Sequence, residues 1–100
     1  MPTLEELRRE IDDVDSELLP LFLKRMELAR NVASFKMKAN LPVLNAARES
    51  EILKKRADAC REEWQRPYAA EFFKAVMALS RAEQQKMLDE RKESAPENHA

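Results

Sequence analysis

Glycine is absent from this 100-residue chain. Tight hairpin turns and phosphate-cradling loops depend on it, so its absence argues against hairpin sheets, Rossmann folds and P-loops. Cysteine occurs once, as Cys60. An internal disulfide is therefore impossible, and a lone thiol without a neighbouring His or Cys makes no metal site. Its expected place is a small buried position on a helix. The single histidine, His99, lies in a polar C-terminal stretch, so the folded part offers no imidazole base and no Ser-His or Cys-His pair. No metal or other cofactor is expected. Apolar runs long enough for a membrane span are missing, as is a signal-peptide core near the N-terminus. A cytoplasmic location is the default expectation. Charged residues make up 37% of the chain, yet the formal net charge is only −1. That balance gives no overall attraction to nucleic acid or anionic membrane, and neither is expected as a partner.

What is present favours helices. Ala, Leu, Glu, Lys, Arg and Met dominate, all strong helix formers, and the predicted fold class is all-α with three helices. Thr3 followed by Glu6 has the spacing of a capping box. From there Leu4, Leu7, Ile11, Val14, Leu18, Leu21, Leu28, Val32 and Phe35 keep a 3-4-3-4 rhythm. The run ends near Ala39, before Asn40-Leu41-Pro42. A continuous helix over residues 4–39 would be about 54 Å long, whereas a compact 100-residue domain has a radius of gyration of about 13 Å. Such a helix projects beyond its own domain with a bare apolar stripe, and a second copy of the chain is the simplest cover. Pro20 interrupts the run, and a kink is expected there.

A second helix is predicted from Asn45 as N-cap to about Glu63, with Ile52, Leu53, Ala57, Cys60 and Trp64 as its apolar line. Arg66-Pro67 punctuates, and Pro67 suits the first turn of a third helix carrying Phe72, Phe73, Val76, Met77, Leu79, Met87 and Leu88. The helical domain is expected over residues 1–91, and the polar stretch 92–100 is expected to be disordered. No internal repeat is apparent.

The informative residues are polar groups in apolar places. Arg25 occupies a seam position where Leu belongs. It either snorkels and pairs with an acid, such as Glu27 or one from a partner chain, or it serves a ligand. Lys36 lies eleven residues on, three turns along the same face and about 16 Å away. Ala29 and Val32 lie between them. Two cationic arms over small apolar residues could grip one small anion; the alternative for Lys36 is a solvated cation favoured by the helix dipole. On the third helix, Ser80 and Gln84 interrupt the Phe73–Met77–Met87 stripe, either bonding each other or a carbonyl, or facing a ligand. Arg48 stands in the first turn of the second helix, where a local pair with Glu51 is the ordinary account, and Glu49 lies on the Ile52/Leu53 side. With no other catalytic groups, this inventory suits binding a small polyanion and catalysis by positioning and electrostatic stabilisation.

The order L-R-x-x-I-x-x-x-D (Leu7 to Asp15), Arg25 with Glu27-Leu28-Ala29, Lys36, P-V-x-x-x-x-R-E (Pro42 to Glu49), then Ser80 and Gln84, resembles the all-helical chorismate mutases over roughly residues 4–88. The resemblance implies an intertwined homodimer with two equivalent active sites and a cofactor-free pericyclic rearrangement of chorismate to prephenate, a step toward phenylalanine and tyrosine. It assigns Arg25, and Arg8 from the partner subunit, to the substrate carboxylates. It assigns Lys36 and Gln84 to the ether oxygen, where negative charge grows, and Glu49 to the ring hydroxyl. Arg48 and Ser80 match further pocket residues. Two positions depart from the family: Asn45 stands where an acid is common, which weakens a hydroxyl contact, and Pro20 replaces an ordinary helix former. Arg8 and Arg25 are seventeen residues apart, about 25 Å along one helix, so one chain cannot easily bring both to one ligand. Two rivals share these features: an isochorismate-pyruvate lyase on the same scaffold, and a non-catalytic helical dimerisation module whose polar residues set register.

Overall fold

The computed structural model of the chain describes residues 1–94, with side chains through residue 92. Three helices follow in order: α1 over Leu4–Lys38, α2 over Ala46–Asp58 and α3 over Arg66–Ser94, with a 3-10 turn at Glu63–Gln65 leading into α3. No strand occurs among the described residues.

The helix ends follow local chemistry. Thr3 caps α1, its Oγ1 accepting from the Glu6 amide at 3.1 Å. At the other end Asn40 takes a left-handed φ of 55°. The Leu41 amide then bonds back to the Lys36 carbonyl at 2.8 Å and the Asn40 amide to Met37 at 3.4 Å. This is a Schellman stop, built with Asn in a chain that has no Gly. Asn45 caps α2, with Oδ1 accepting from the Arg48 amide at 3.0 Å.

Pro20 lies inside α1, which is continuous across it. The lost amide leaves the Ser16 carbonyl without its usual helical donor, and the Ser16 hydroxyl bonds back to Asp12 at 2.9 Å.

Two sequence-based boundaries need correction. α2 ends at Asp58, not near Glu63. The Glu62 amide there bonds the Gln65 side chain at 3.2 Å and the Trp64 indole donates to Glu62, a local polar knot that starts the next helix instead of prolonging the last. Cys60 consequently sits just beyond the helix, half-buried, with Sγ against the Arg56 carbonyl at 3.6 Å. α3 also outruns the expected end at 91 and includes residues 92–94. No breaker stands between Met87 and Ser94, and Lys86–Glu90 and Gln85–Asp89 pair along its surface. The rest of the expected disordered stretch, with His99, lies outside the described residues.

α1 and α3 run parallel, because Arg25 meets Ser80 and Ala29 meets Gln84 at the same sequence offset. α2 runs antiparallel to α3, with Glu49 against Arg81 and Arg56 over Phe73. The buried set is small: Ala29, Ala33, Val76, Met77, Ser80 and Gln84. Ala29 and Ala33, one turn apart on α1, let α3 approach closely.

The N-terminal half of α1 is bare. Ile11 is 58% exposed and Val14 60%, and Leu4, Leu7, Leu18 and Leu21 are exposed as well. The radius of gyration is 18.4 Å and the longest extent 73 Å, well above the ~13 Å radius of a compact chain this long. A single copy therefore leaves its longest apolar stripe in water.

Candidate active site

The C-terminal half of α1, the start of α2 and the middle of α3 border an open cavity of about 310 Å³. Its α1 wall carries Arg25 and Lys36 with Leu28, Ala29 and Val32 between them. The loop and α2 contribute Val43, Asn45, Arg48, Glu49 and Ile52, and α3 contributes Met77, Ser80, Arg81 and Gln84. Seven of the eight residues singled out from the sequence thus face one space. Arg8 does not; it lies near the far end of α1.

Arg25 does not pair with Glu27 or with any described carboxylate. Its Nη1 donates to Ser80 Oγ at 3.0 Å, and Ser80 passes its own proton toward the Val76 carbonyl at 3.0 Å. A guanidinium has five N–H donors, so one bond to a neutral hydroxyl leaves most of the fork for an anion. Burial foremost, then repulsion from Arg48 and Arg56, holds the Arg25 guanidinium below its ordinary proton affinity. The group stays charged at any working pH, in a setting that lacks a counter-anion.

Lys36 is half-buried, and its Nζ donates to the Val43 carbonyl at 2.7 Å. The bond draws the ammonium off the helix surface and over the cavity. Gln84 is 7% exposed, with Nε2 donating to the Ala29 carbonyl at 2.8 Å. Every buried side-chain nitrogen and oxygen among the described residues has a partner. Ser80 and Gln84 therefore bond α1 and their own helix, not each other.

Arg48, on the cavity wall, makes the expected local pair, Nη1 to Glu51 Oε1 at 2.6 Å, with both side chains largely exposed. Glu49, half-buried, is held by Arg81. Arg81 was not singled out from the sequence. One signal was available: it lies four residues after Met77, on the side of α3 that faces inward. The cavity thus sets four cationic side chains against one carboxylate, with Ser80 and Gln84 as neutral donors. Among the described residues no cluster of His, Cys, Asp or Glu could hold a metal ion, and no helix is long and apolar enough to cross a membrane. A larger hollow of about 550 Å³ adjoins the site across Lys36, Val43 and Gln84, but the convergent polar groups line the smaller one.

This geometry can hold a small dianion at several points and present donors to a further oxygen. The sequence profile described as chorismate mutase type II matches residues 7–85. The chain belongs to that family. Among curated proteins, the bifunctional chorismate mutase/prephenate dehydratase of Aquifex aeolicus is 47% identical over 55% of this chain and 15% of its own length. The T-protein of Haemophilus influenzae is 43% identical over 56% of this chain and 15% of its own length. The chorismate mutase of Methanocaldococcus jannaschii is 34% identical over 59% of this chain and 60% of its own length. The matched segment therefore covers less than two thirds of each of these relatives. No solved structure is significantly similar.

Proposed function

We propose that this chain is a chorismate mutase that rearranges chorismate to prephenate without a cofactor, as a homodimer with two shared sites. The observation that carries this reading is the convergence of Arg25, Lys36 and Gln84 on one cavity, backed by family membership over residues 7–85. In the reaction one C–O bond breaks as one C–C bond forms, and negative charge grows on the ether oxygen. No proton need move, which suits a site without a histidine base. Lys36 and Gln84 donate to that oxygen. Preorganised donors of this kind each contribute about 10²–10³ in rate. Arg25 holds a carboxylate through its free guanidinium edge, and Ser80 fixes the arm that carries it. Glu49 receives the ring hydroxyl, with Arg48 and Asn45 at the rim.

Arg8 of the partner subunit supplies the second carboxylate clamp in this reading. Within one chain it is about 25 Å from Arg25 along α1. Antiparallel pairing of two α1 helices would cover the bare Leu7–Leu21 stripe and carry Arg8 of the partner subunit toward Arg25. Dimerisation thus removes apolar surface from water and completes the site in one step.

The test is direct: chorismate is supplied to the purified dimer and prephenate formation is followed, with isochorismate and pyruvate detection run alongside. Prephenate supports the reading, pyruvate from isochorismate replaces it with a lyase, and a folded dimer inert toward both leaves only a dimerisation module.

A further inference from the structure

Arg81 is the cationic group on the cavity wall to which the family pattern gives no role. It sits one residue beyond Ser80 on α3, about 100° further round the helix. That step turns it away from α1 and toward α2, where its Nη1 donates to Glu49 Oε1 across 32 positions of sequence. The two side chains are 36% and 23% exposed, unlike the Arg48–Glu51 pair at 57% and 63%. Pairs in open solvent gain little, because ordering two long arms offsets a screened attraction. A pair set into a cavity wall is screened less.

Two consequences follow for Glu49. A carboxylate has two oxygens and about four acceptor sites. Arg81 occupies Oε1 and leaves Oε2 to accept from a hydroxyl. The pair also offsets the negative charge that Glu49 would otherwise turn on a dianion in the same cavity. Arg48, its sequence neighbour, bonds Glu51 and not Glu49, so the direct contact to Glu49 comes from Arg81.

We propose that Arg81 is a positioning residue acting through Glu49: it aims and neutralises the carboxylate that receives the substrate's ring hydroxyl. The inference rests on the chorismate reading and deepens it. A hydroxyl contact made in both the ground and transition states is uniform binding, so its loss raises KM and leaves kcat nearly unchanged.

The test is a double-mutant cycle in steady-state kinetics with chorismate, on wild type, Arg81→Ala, Glu49→Gln and the double variant, with Arg81→Lys as the conservative variant. Dimer state and helix content are checked for each. Arg81→Ala should raise KM about tenfold, in the range of coupling expected for contacting residues, with kcat within about threefold of wild type. Arg81→Lys should recover most of the loss, and Arg81→Ala should add nothing in the Glu49→Gln background. If Arg81→Ala does not fold, Arg81→Met, which keeps the apolar stem, takes its place. Unchanged kinetics in the Arg81 variants, or the same loss with Glu49 already replaced, overturns the inference alone. An inert wild-type dimer overturns the chorismate reading and this inference with it.

Discussion

Gln84 Nε2 lies 2.8 Å from the carbonyl oxygen of Ala29, joining the middle of α3 to α1 across 55 positions of sequence. The amide carries two hydrogens and the Ala29 bond uses one. The second is left for another acceptor, on a side chain that lines the cavity and whose rotamer the first bond sets.

Replacing that amide by a carboxyl tests the donor. Gln84→Glu, in its ionised form, offers no hydrogen and faces the Ala29 carbonyl, so turnover at the alkaline end of the pH range should fall about 10²-fold or more. Burial disfavours the ionised form and raises the introduced carboxyl's pKa. The protonated form can donate again, so activity should return as pH is lowered. A pH–rate profile of the variant beside wild type checks this; a flat or falling acid limb would count against Gln84 as the donor.

Arg25 gives a prediction in which activity and stability move apart. Its folded-state proton affinity lies below the unfolded value, so the charged form is disfavoured by folding at every pH below that folded value. The cost is constant across neutral pH and is relieved only in strong alkali. Arg25→Met keeps the stem, removes the charge and leaves Ser80 bonded to Val76. Its thermal midpoint should match or exceed wild type with no new pH dependence between 5 and 9, while kcat/KM falls about 100-fold or more. Calorimetry and prephenate assays on the folded protein measure both.

The bare stripe on α1 predicts an obligatory partner. Ile11→Glu places a charge in the proposed seam, and sedimentation should show a monomer with lost turnover, because Arg8 of the partner subunit no longer reaches Arg25. Mixing Arg8→Ala with Arg25→Ala and letting the subunits exchange should restore about a quarter of wild-type turnover, since half the dimers are mixed and each holds one intact site. No recovery with mixed dimers confirmed would rule out sites shared between subunits.

Pro20 predicts a gain. Pro20→Ala restores the backbone hydrogen bond to the Ser16 carbonyl and should stabilise the folded protein by about 1–3 kcal/mol. Thermal unfolding at fixed protein concentration reads this as a rise in midpoint.

Much of this molecule was legible in one dimension. The Thr3 and Asn45 caps, the stop at Asn40 and the start beside Pro67 are decided within a few residues, because capping bonds span three or four positions. Periodicity likewise marked Arg25, Ser80 and Gln84 as polar groups on apolar faces, and the structure puts all three at the α1–α3 contact. Where local signals compete the reading failed: the apolar step from Cys60 to Trp64 suggested a longer α2, and the Glu62–Gln65 knot prevailed.

What only the tertiary structure decided is how those groups are paired. No spacing rule connects Glu49 to Arg81, 32 residues away, or Lys36 to the Val43 carbonyl across a loop. Those bonds depend on how α2 and the 39–45 loop settle against α1 and α3. The sequence alone determined which residues would be polar inside a helical seam, since helix geometry is periodic and local. Packing decided which partner each would meet, because a hydrogen bond is satisfied only by the group that lies within about 3 Å in space.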